Sequence, residues 1–304
     1  MTKTDESILQ IHRHANDYRD LCNLAGDVLK KRPIKLPKGY EVLLKHNGLF
    51  HFKSVVYKNN DEIIICYLGT ERFSLKDHST NAKMILSGEP TKQMKEALKL
   101  CNQIMDDYPS SKVRVIGHSE GGSESLYVGL SRNLPTVTFN AYGLNPKLVK
   151  EINNPNADKL VINYRDPNDP VSKVRKPQGK SYIVENPQSF YEKVNPFGTL
   201  SAHKISNFGD CNNAIPVEHY KKENKSFIDN VSEAEITNKD IANMSLDLYN
   251  IYDEEISSRL TKGQILNEYQ AKELALQGNL VKVSSYTRTD GTHVDGYYRR
   301  LSHS

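Results

Sequence analysis

Lys112-Val-Arg-Val-Ile-Gly117-His-Ser119-Glu-Gly121-Gly122 is a short run rich in branched side chains that closes on a Gly-x-Ser-x-Gly pentad. Val113, Val115 and Ile116 favour a buried strand. Glycines on both sides of Ser119 allow the backbone to pass where a Cβ would not fit. The residues that follow, to about Arg132, read as a helix. The stretch therefore predicts strand, sharp turn and helix, with the Ser119 hydroxyl presented at the bend as a nucleophile elbow. A bare pentad recurs by chance, and it is the flanking strand and helix that give this one weight.

Working outward, Glu62–Leu68 is apolar throughout its middle and predicts a central strand covered on both faces. Leu49–Lys58 precedes it, with Asn59-Asn60-Asp61 as turn chemistry, so the two are expected to form a hairpin. Further upstream, Ile8, Ile11, Ala15, Tyr18, Cys22, Ala25 and Leu29 recur at three- or four-residue steps, an amphipathic helix from about Glu6 to Lys30. A polar segment from Gly69 to about Pro90 leads into a helix ending near Tyr108. Its buried stripe is Met94, Ala97, Leu98, Cys101, Ile104, Met105 and Tyr108. Beyond the elbow, Thr136–Asn140 and Lys159–Asn163 read as strands separated by a helix near Pro146–Ile152. Strands alternating with helices predict a mostly parallel sheet with helices on both faces, the α/β-hydrolase type of architecture.

After about Tyr220 the chain becomes charged and loosely periodic. Thr261–Gln277 reads as a helix, and Val281–Tyr286 with His293–Arg299 flank Asp290-Gly291 as a hairpin. A boundary near 222 gives a hydrolase domain over 1–222 and a helical and hairpin appendage over 223–304.

Composition sets bounds. The chain has 304 residues, 37% hydrophobic, with a net charge of +4, which does not point to nucleic acid. No run is long enough for a transmembrane span, and Met1–Ser7 lacks the apolar region of a secretory signal. Cytoplasmic residence, or export without a cleaved signal, is the expectation. The four cysteines form no C-x-x-C pair; Cys66 and Cys101 fall on buried faces and are expected to be free thiols.

A serine hydroxyl becomes nucleophilic when a base takes its proton and a third group orients that base. In this architecture the order along the chain is Ser, acid, His. His203 follows the last strand-like segment and a Pro- and Gly-containing loop, with His219 in reserve; His293 and His303 fall in the tail. Asp166 and Asp169 both lie just beyond the strand ending at Asn163, where sites in such sheets form, and either can serve as the acid. The N–H of Glu120, the residue after the nucleophile, is one expected oxyanion donor. This chemistry calls for no metal and no organic cofactor, and the chain has no P-loop, H-E-x-x-H or dinucleotide fingerprint.

Ile63–Leu68 followed by Gly69-Thr70, Gly117-His-Ser119-Glu-Gly121, Thr138-Phe-Asn-Ala-Tyr142, Asn168-Asp169-Pro-Val171 and the later His203 resemble the ordered landmarks of the class 3 lipases. They resemble the related bacterial lipase-like proteins still more, over about residues 5–220. The resemblance implies that Asp169, preceding Pro-Val, is the acid, and that Thr70 supplies the second oxyanion donor. The chain departs from the family at Glu120, where leucine is usual, and at Lys76-Asp77-His78, which replaces the common aspartate–tryptophan pair. The tail hairpin is similar to a segment recurring at the ends of phage-associated and some bacterial proteins; Tyr286, Tyr297, Tyr298, Arg299 and Arg300 have the chemistry of a patch for a partner not identified by the sequence.

The expectation is a serine hydrolase of carboxylic esters, with Ser119, His203 and Asp169 as catalytic residues and Thr70 and Glu120 as the oxyanion hole. Its partners are an ester or lipid substrate and, transiently, a membrane surface. Rivals are a thioesterase, acyltransferase or peptidase with the same three residues, and a non-catalytic binding or delivery protein acting through its tail.

Overall fold

The computed structural model describes residues 11–49, 52–69, 88–169, 171–173, 175–185 and 202–224, and the backbone of 280–283, 286–287, 293–294 and 297–300. The chain separates into two compact units, Met1–Tyr249 and Asn250–Ser304.

In the first unit the strand order of an eight-stranded sheet follows the chain. β1 (Glu41–Asn47), β2 (Lys53–Asn59) and β3 (Glu62–Leu68) form an antiparallel meander. β3, β4 (Lys112–His118), β5 (Thr136–Phe139), β6 (Val161–Arg165) and β7 (Lys180–Ile183) run parallel. β8 (Ile215–Pro216) closes the edge antiparallel to β7. The parallel centre with helical crossovers is the α/β-hydrolase arrangement.

The apolar run of β3 is explained by its two covered faces. Ile64 and Cys66 point into a core shared with α1 (Ala15–Leu29), through Tyr18, Leu21, Cys22 and Ala25. Ile63, Ile65 and Tyr67 point the other way, into a core shared with α2 (Lys92–Asp107) and α3 (Glu120–Arg132). Period-two alternation thus survives, but both sets are apolar because both faces are dry. α2 starts where Thr91 accepts a hydrogen bond from the Met94 N–H at 3.0 Å, a side-chain N-cap. α4 (Pro146–Ile152) and the single turn α5 (Ala157–Leu160) lead into β6, and α6 (Val217–Glu223) follows β8. No helix among the described residues is long and apolar enough to cross a membrane.

The structure corrects the sequence reading at four places. The first hairpin strand starts at Lys53, not Leu49, because Gly48 N–H bonds the Phe52 carbonyl and turns the chain there. That turn joins β2 to β1, a strand not anticipated. The strand expected from Lys159 starts at Val161, since Ala157–Leu160 is wound as a helical turn. β7 and β8 were also not anticipated. All four cysteines are buried and free, with the Cys22 and Cys66 sulfurs 3.7 Å apart.

In the tail unit, Leu280–Val283 pairs antiparallel with Tyr297–Arg300, and Tyr286–Thr287 with His293–Val294, the pairing expected of a hairpin. The helix expected over Thr261–Gln277, the turn Asp290-Gly291, and the segment 70–87 lie outside the described residues.

Candidate active site

The elbow is built as its glycines require. A Cβ at Gly117 would lie 2.2 Å from the Gly121 carbonyl oxygen, and one at Gly121 would lie 2.2 Å from that of Tyr67. Neither is tolerable, so the first turn of α3 packs directly against the ends of β4 and β3. Ser119 itself sits at φ +56°, ψ −125°, a strained conformation for a residue with a side chain. Its N–H donates to the Phe139 carbonyl at 3.0 Å and its carbonyl accepts from the Ser123 N–H, so the strain is held by backbone bonds on both sides.

His203, on the loop before β8, has its ring between two partners. Nε2 lies 2.8 Å from Ser119 Oγ, and Nδ1 lies 3.0 Å from Asp169 Oδ1. A carboxylate only accepts, so Nδ1 carries the hydrogen. Nε2 is then left to accept from the serine hydroxyl. Asp169 is fully buried, and His203 and Ser119 are each 7% exposed. Ser119 and Asp169 follow the carboxyl ends of β4 and β6, where ligand sites form in sheets of this kind.

Asp169 is held by more than the histidine. Its Oδ1 accepts from the Val171 N–H at 3.1 Å and its Oδ2 from the Ser172 N–H at 3.0 Å. Both donors belong to the 3₁₀ turn Val171–Lys173, which the buried Arg165 anchors by donating to the Ser172 carbonyl at 3.0 Å. Burial, the largest single influence on Asp169, favours its neutral form. The His203 ring and the two N–H groups outweigh it and hold the carboxyl below the usual carboxylate range.

Asp166 faces elsewhere. Its Oδ1 accepts from the Asn168 N–H at 2.8 Å, closing its own turn, and its N–H donates to Asn140 Oδ1 at 2.8 Å. His219 sits on α6, the helix that follows β8. Of the two expected oxyanion donors, Glu120 is the first residue of α3 and is buried, and Thr70 lies outside the described residues. Gly69, the neighbour of Thr70, packs against Glu120, with a Cβ there meeting the Glu120 Cβ at 3.1 Å.

Two side chains that the sequence reading did not single out complete the surroundings. His118 Nε2 lies 2.6 Å from the His203 carbonyl oxygen, and Asn140 Nδ2 donates to the Ala202 carbonyl at 2.8 Å. The signals available were position, since each stands at the carboxyl end of a central strand, and membership of the two stretches Gly117–Gly121 and Thr138–Tyr142.

Glu124, one turn along α3, is 2% exposed, and its Oε2 has no hydrogen-bond partner among the described residues. Burial, then repulsion from Glu120, pushes its carboxyl well above the usual range, which favours the protonated form in the folded chain. The folded chain then keeps a proton that the unfolded chain releases above about pH 4.3, and stability falls as pH rises through that window. Glu124→Gln keeps the shape of the neutral acid and has no proton to release. In thermal melts the variant is expected to gain on the wild type toward about pH 8, the gap closing toward about pH 5. A gap that instead widens on acidification contradicts a protonated Glu124.

Residues 21–197 match the family described as phospholipase-like, Tle-like phospholipase domain. No curated protein sequence matches the chain. Among solved structures, a fungal lipase–inhibitor complex studied for interfacial activation is similar at 16% identity and TM-score 0.46, over 58% of this chain and 80% of that one. Lipase II from Rhizopus niveus is similar at 14% identity and TM-score 0.44, over 67% of this chain and 97% of that one. The Rhizomucor miehei lipase–propeptide complex is similar at 15% identity and TM-score 0.40, over 58% of this chain and 68% of that one.

Proposed function

Because the chain belongs to the Tle-like phospholipase domain family, we propose that it is a serine hydrolase of carboxylic esters, with phospholipid acyl esters as its substrate class. One observation carries the mechanism: the His203 ring spans Ser119 Oγ and Asp169 Oδ1 at 2.8 and 3.0 Å.

Ser119 Oγ attacks the ester carbonyl carbon as its proton passes to His203 Nε2. The carbonyl oxygen takes the negative charge and receives the N–H groups of Glu120 and Thr70. Each such donor contributes about 10²–10³ in rate, because it meets charge that develops only in the transition state. Asp169 keeps the histidine in the tautomer that leaves Nε2 free to accept, and stabilises the imidazolium that forms. When the tetrahedral adduct collapses, the C–O bond to the alcohol breaks and His203 returns the proton to the departing oxygen. Water, deprotonated by the same nitrogen, then attacks the acyl-Ser119 ester and releases the carboxylic acid. The sum is ester plus water to acid plus alcohol. Contact with a membrane surface is transient in this scheme.

The test is acid release from para-nitrophenyl esters of graded chain length and from phosphatidylcholine vesicles, with Ser119→Ala as control. Turnover by the wild type and none by the variant is expected. Acyl transfer to an added alcohol or amine in place of hydrolysis would reassign the chain to acyl transfer. A wild type silent on every ester would favour a binding protein.

A further inference from the structure

The loop that carries His203 is tied to the sheet at two consecutive carbonyls. The His203 carbonyl lies 2.6 Å from His118 Nε2, and because a carbonyl only accepts, that nitrogen carries a hydrogen. The His118 and His203 rings also pack together, centroids 4.9 Å apart and inclined at 39°. The preceding carbonyl, of Ala202, accepts from Asn140 Nδ2 at 2.8 Å. Asn140 is fully buried at φ +47°, and its other amide atom, Oδ1, accepts the Asp166 N–H at 2.8 Å. Those two bonds fix the amide's orientation, since one neighbour is an acceptor and the other a donor. Asp166 opens the turn that ends at Asp169, through the bond from Asp169 N–H to the Asp166 carbonyl.

His118 ends β4 and Asn140 directly follows β5, and His118 is paired with Phe139 in the sheet. The rigid centre of the sheet thus reaches the base-bearing loop twice and the acid-bearing turn once.

We propose that His118 and Asn140 are positioning residues: a two-point clamp that fixes His203 between Ser119 and Asp169. The clamp rests on the reading of those three as the hydrolytic centre. Its need is geometric. The described part of the loop has only the short turns Ile205–Asn207 and Cys211–Asn213 as regular structure, and its hydrogen bonds to Asn16 and Arg19 fall at Gly209 and beyond, so the two carbonyls are the ties nearest the ring. A displacement of about 1 Å at such a site costs on the order of 10²-fold in rate. The clamp must also stay uncharged, because a cation at His118 would oppose the imidazolium forming on His203. Burial, and then the neighbouring His203 ring, push His118 down to about 3, so it remains neutral while His203 cycles.

The experiment measures kcat and KM on para-nitrophenyl butyrate, with melting temperature, for His118→Phe, His118→Gln and Asn140→Asp. Phenylalanine keeps the ring packing and loses the donor. Glutamine restores a donor at similar reach. His118→Phe is expected to lose about 10²-fold in kcat, with KM little changed. His118→Gln should recover most of that loss at the same melting temperature. Asn140→Asp keeps the acceptor for Asp166 and loses the donor to Ala202, so it tests the second point even if His118→Phe does not fold. It should lower kcat by a similar factor, and less than multiplicatively with His118→Phe, since both hold one loop. An unchanged kcat in His118→Phe, or a glutamine variant as slow as the phenylalanine one at equal melting temperature, overturns the clamp. A wild type that neither turns over ester nor reacts at Ser119 overturns the hydrolytic reading, and the clamp with it.

Discussion

Ser119→Ala is expected to eliminate ester hydrolysis, a loss on the order of 10⁶-fold, while the melting temperature stays near that of the wild type. The size of the loss follows from cooperation: without Oγ, the histidine and aspartate have no nucleophile to activate. Only oxyanion stabilisation and binding remain, worth about 10³–10⁴ over water. Stability is spared because the substitution removes a single oxygen whose partner is His203 Nε2 at 2.8 Å. The Cβ stays, so the strained φ of +56° is neither relieved nor worsened, and the bonds to Phe139 and Ser123 are backbone bonds that alanine keeps. Measured acid release with a matched thermal melt tests both halves. Activity persisting in the variant would mean that another group attacks the ester.

The second large effect separates two aspartates three positions apart. Asp169→Asn is expected to lower kcat by about 10⁴, and Asp166→Asn to leave it within about ten-fold of wild type. An amide at 169 can present its NH₂ to His203, which then needs the opposite tautomer, with the hydrogen on Nε2 where the serine proton must go. Stability responds too. Three donors converge on the Asp169 carboxylate, from His203, Val171 and Ser172, and an amide offers them one oxygen. Leaving a buried donor unmatched costs about 1–3 kcal/mol. The sign with pH follows from the depressed carboxyl: its contribution is present above the unfolded value, about 3.9, and is lost as pH falls through the lower folded value. The wild type's advantage in melting temperature is therefore largest near neutrality and closes in acid. Asp166 bonds its own turn through Asn168, and the amide oxygen introduced by Asp166→Asn would keep that acceptor. An inactive Asp166→Asn beside an active Asp169→Asn would reverse the assignment.

The elbow and the central strands were legible because each carries a local cause. Branched side chains run through β3 and β4, and glycines stand at 117 and 121, where a Cβ would lie 2.2 Å from a backbone carbonyl oxygen. β1 was not legible, since a bulge between Val42 and Leu44 breaks its alternation and most of its residues are only partly buried. β7 is four residues long and β8 two, too short to show a period. Chain order put a histidine after the acid and ranked His203 ahead of His219, and His203 is the one whose ring meets Ser119. Which aspartate meets its ring did not follow from the residues alone, because the choice depends on the turn between them, and a resemblance to class 3 lipases pointed to Asp169. His118 and Asn140 fall inside two of the stretches that resemble class 3 lipases, but nothing in the residues gave either one a role. A single polar residue at a strand end looks like any turn residue until the loop from position 202 is laid against it. Glu124 was equally silent, being a charged letter on a helix that would otherwise read as half-exposed.

Phosphonylation of the whole chain by a fluorophosphonate, mapped by peptide mass spectrometry, addresses the central claim directly, that Ser119 is a nucleophile activated by His203. One label is predicted, on Ser119, absent from Ser119→Ala and strongly slowed in His203→Ala. No label on the wild type, or a label on another residue that survives Ser119→Ala, would contradict it.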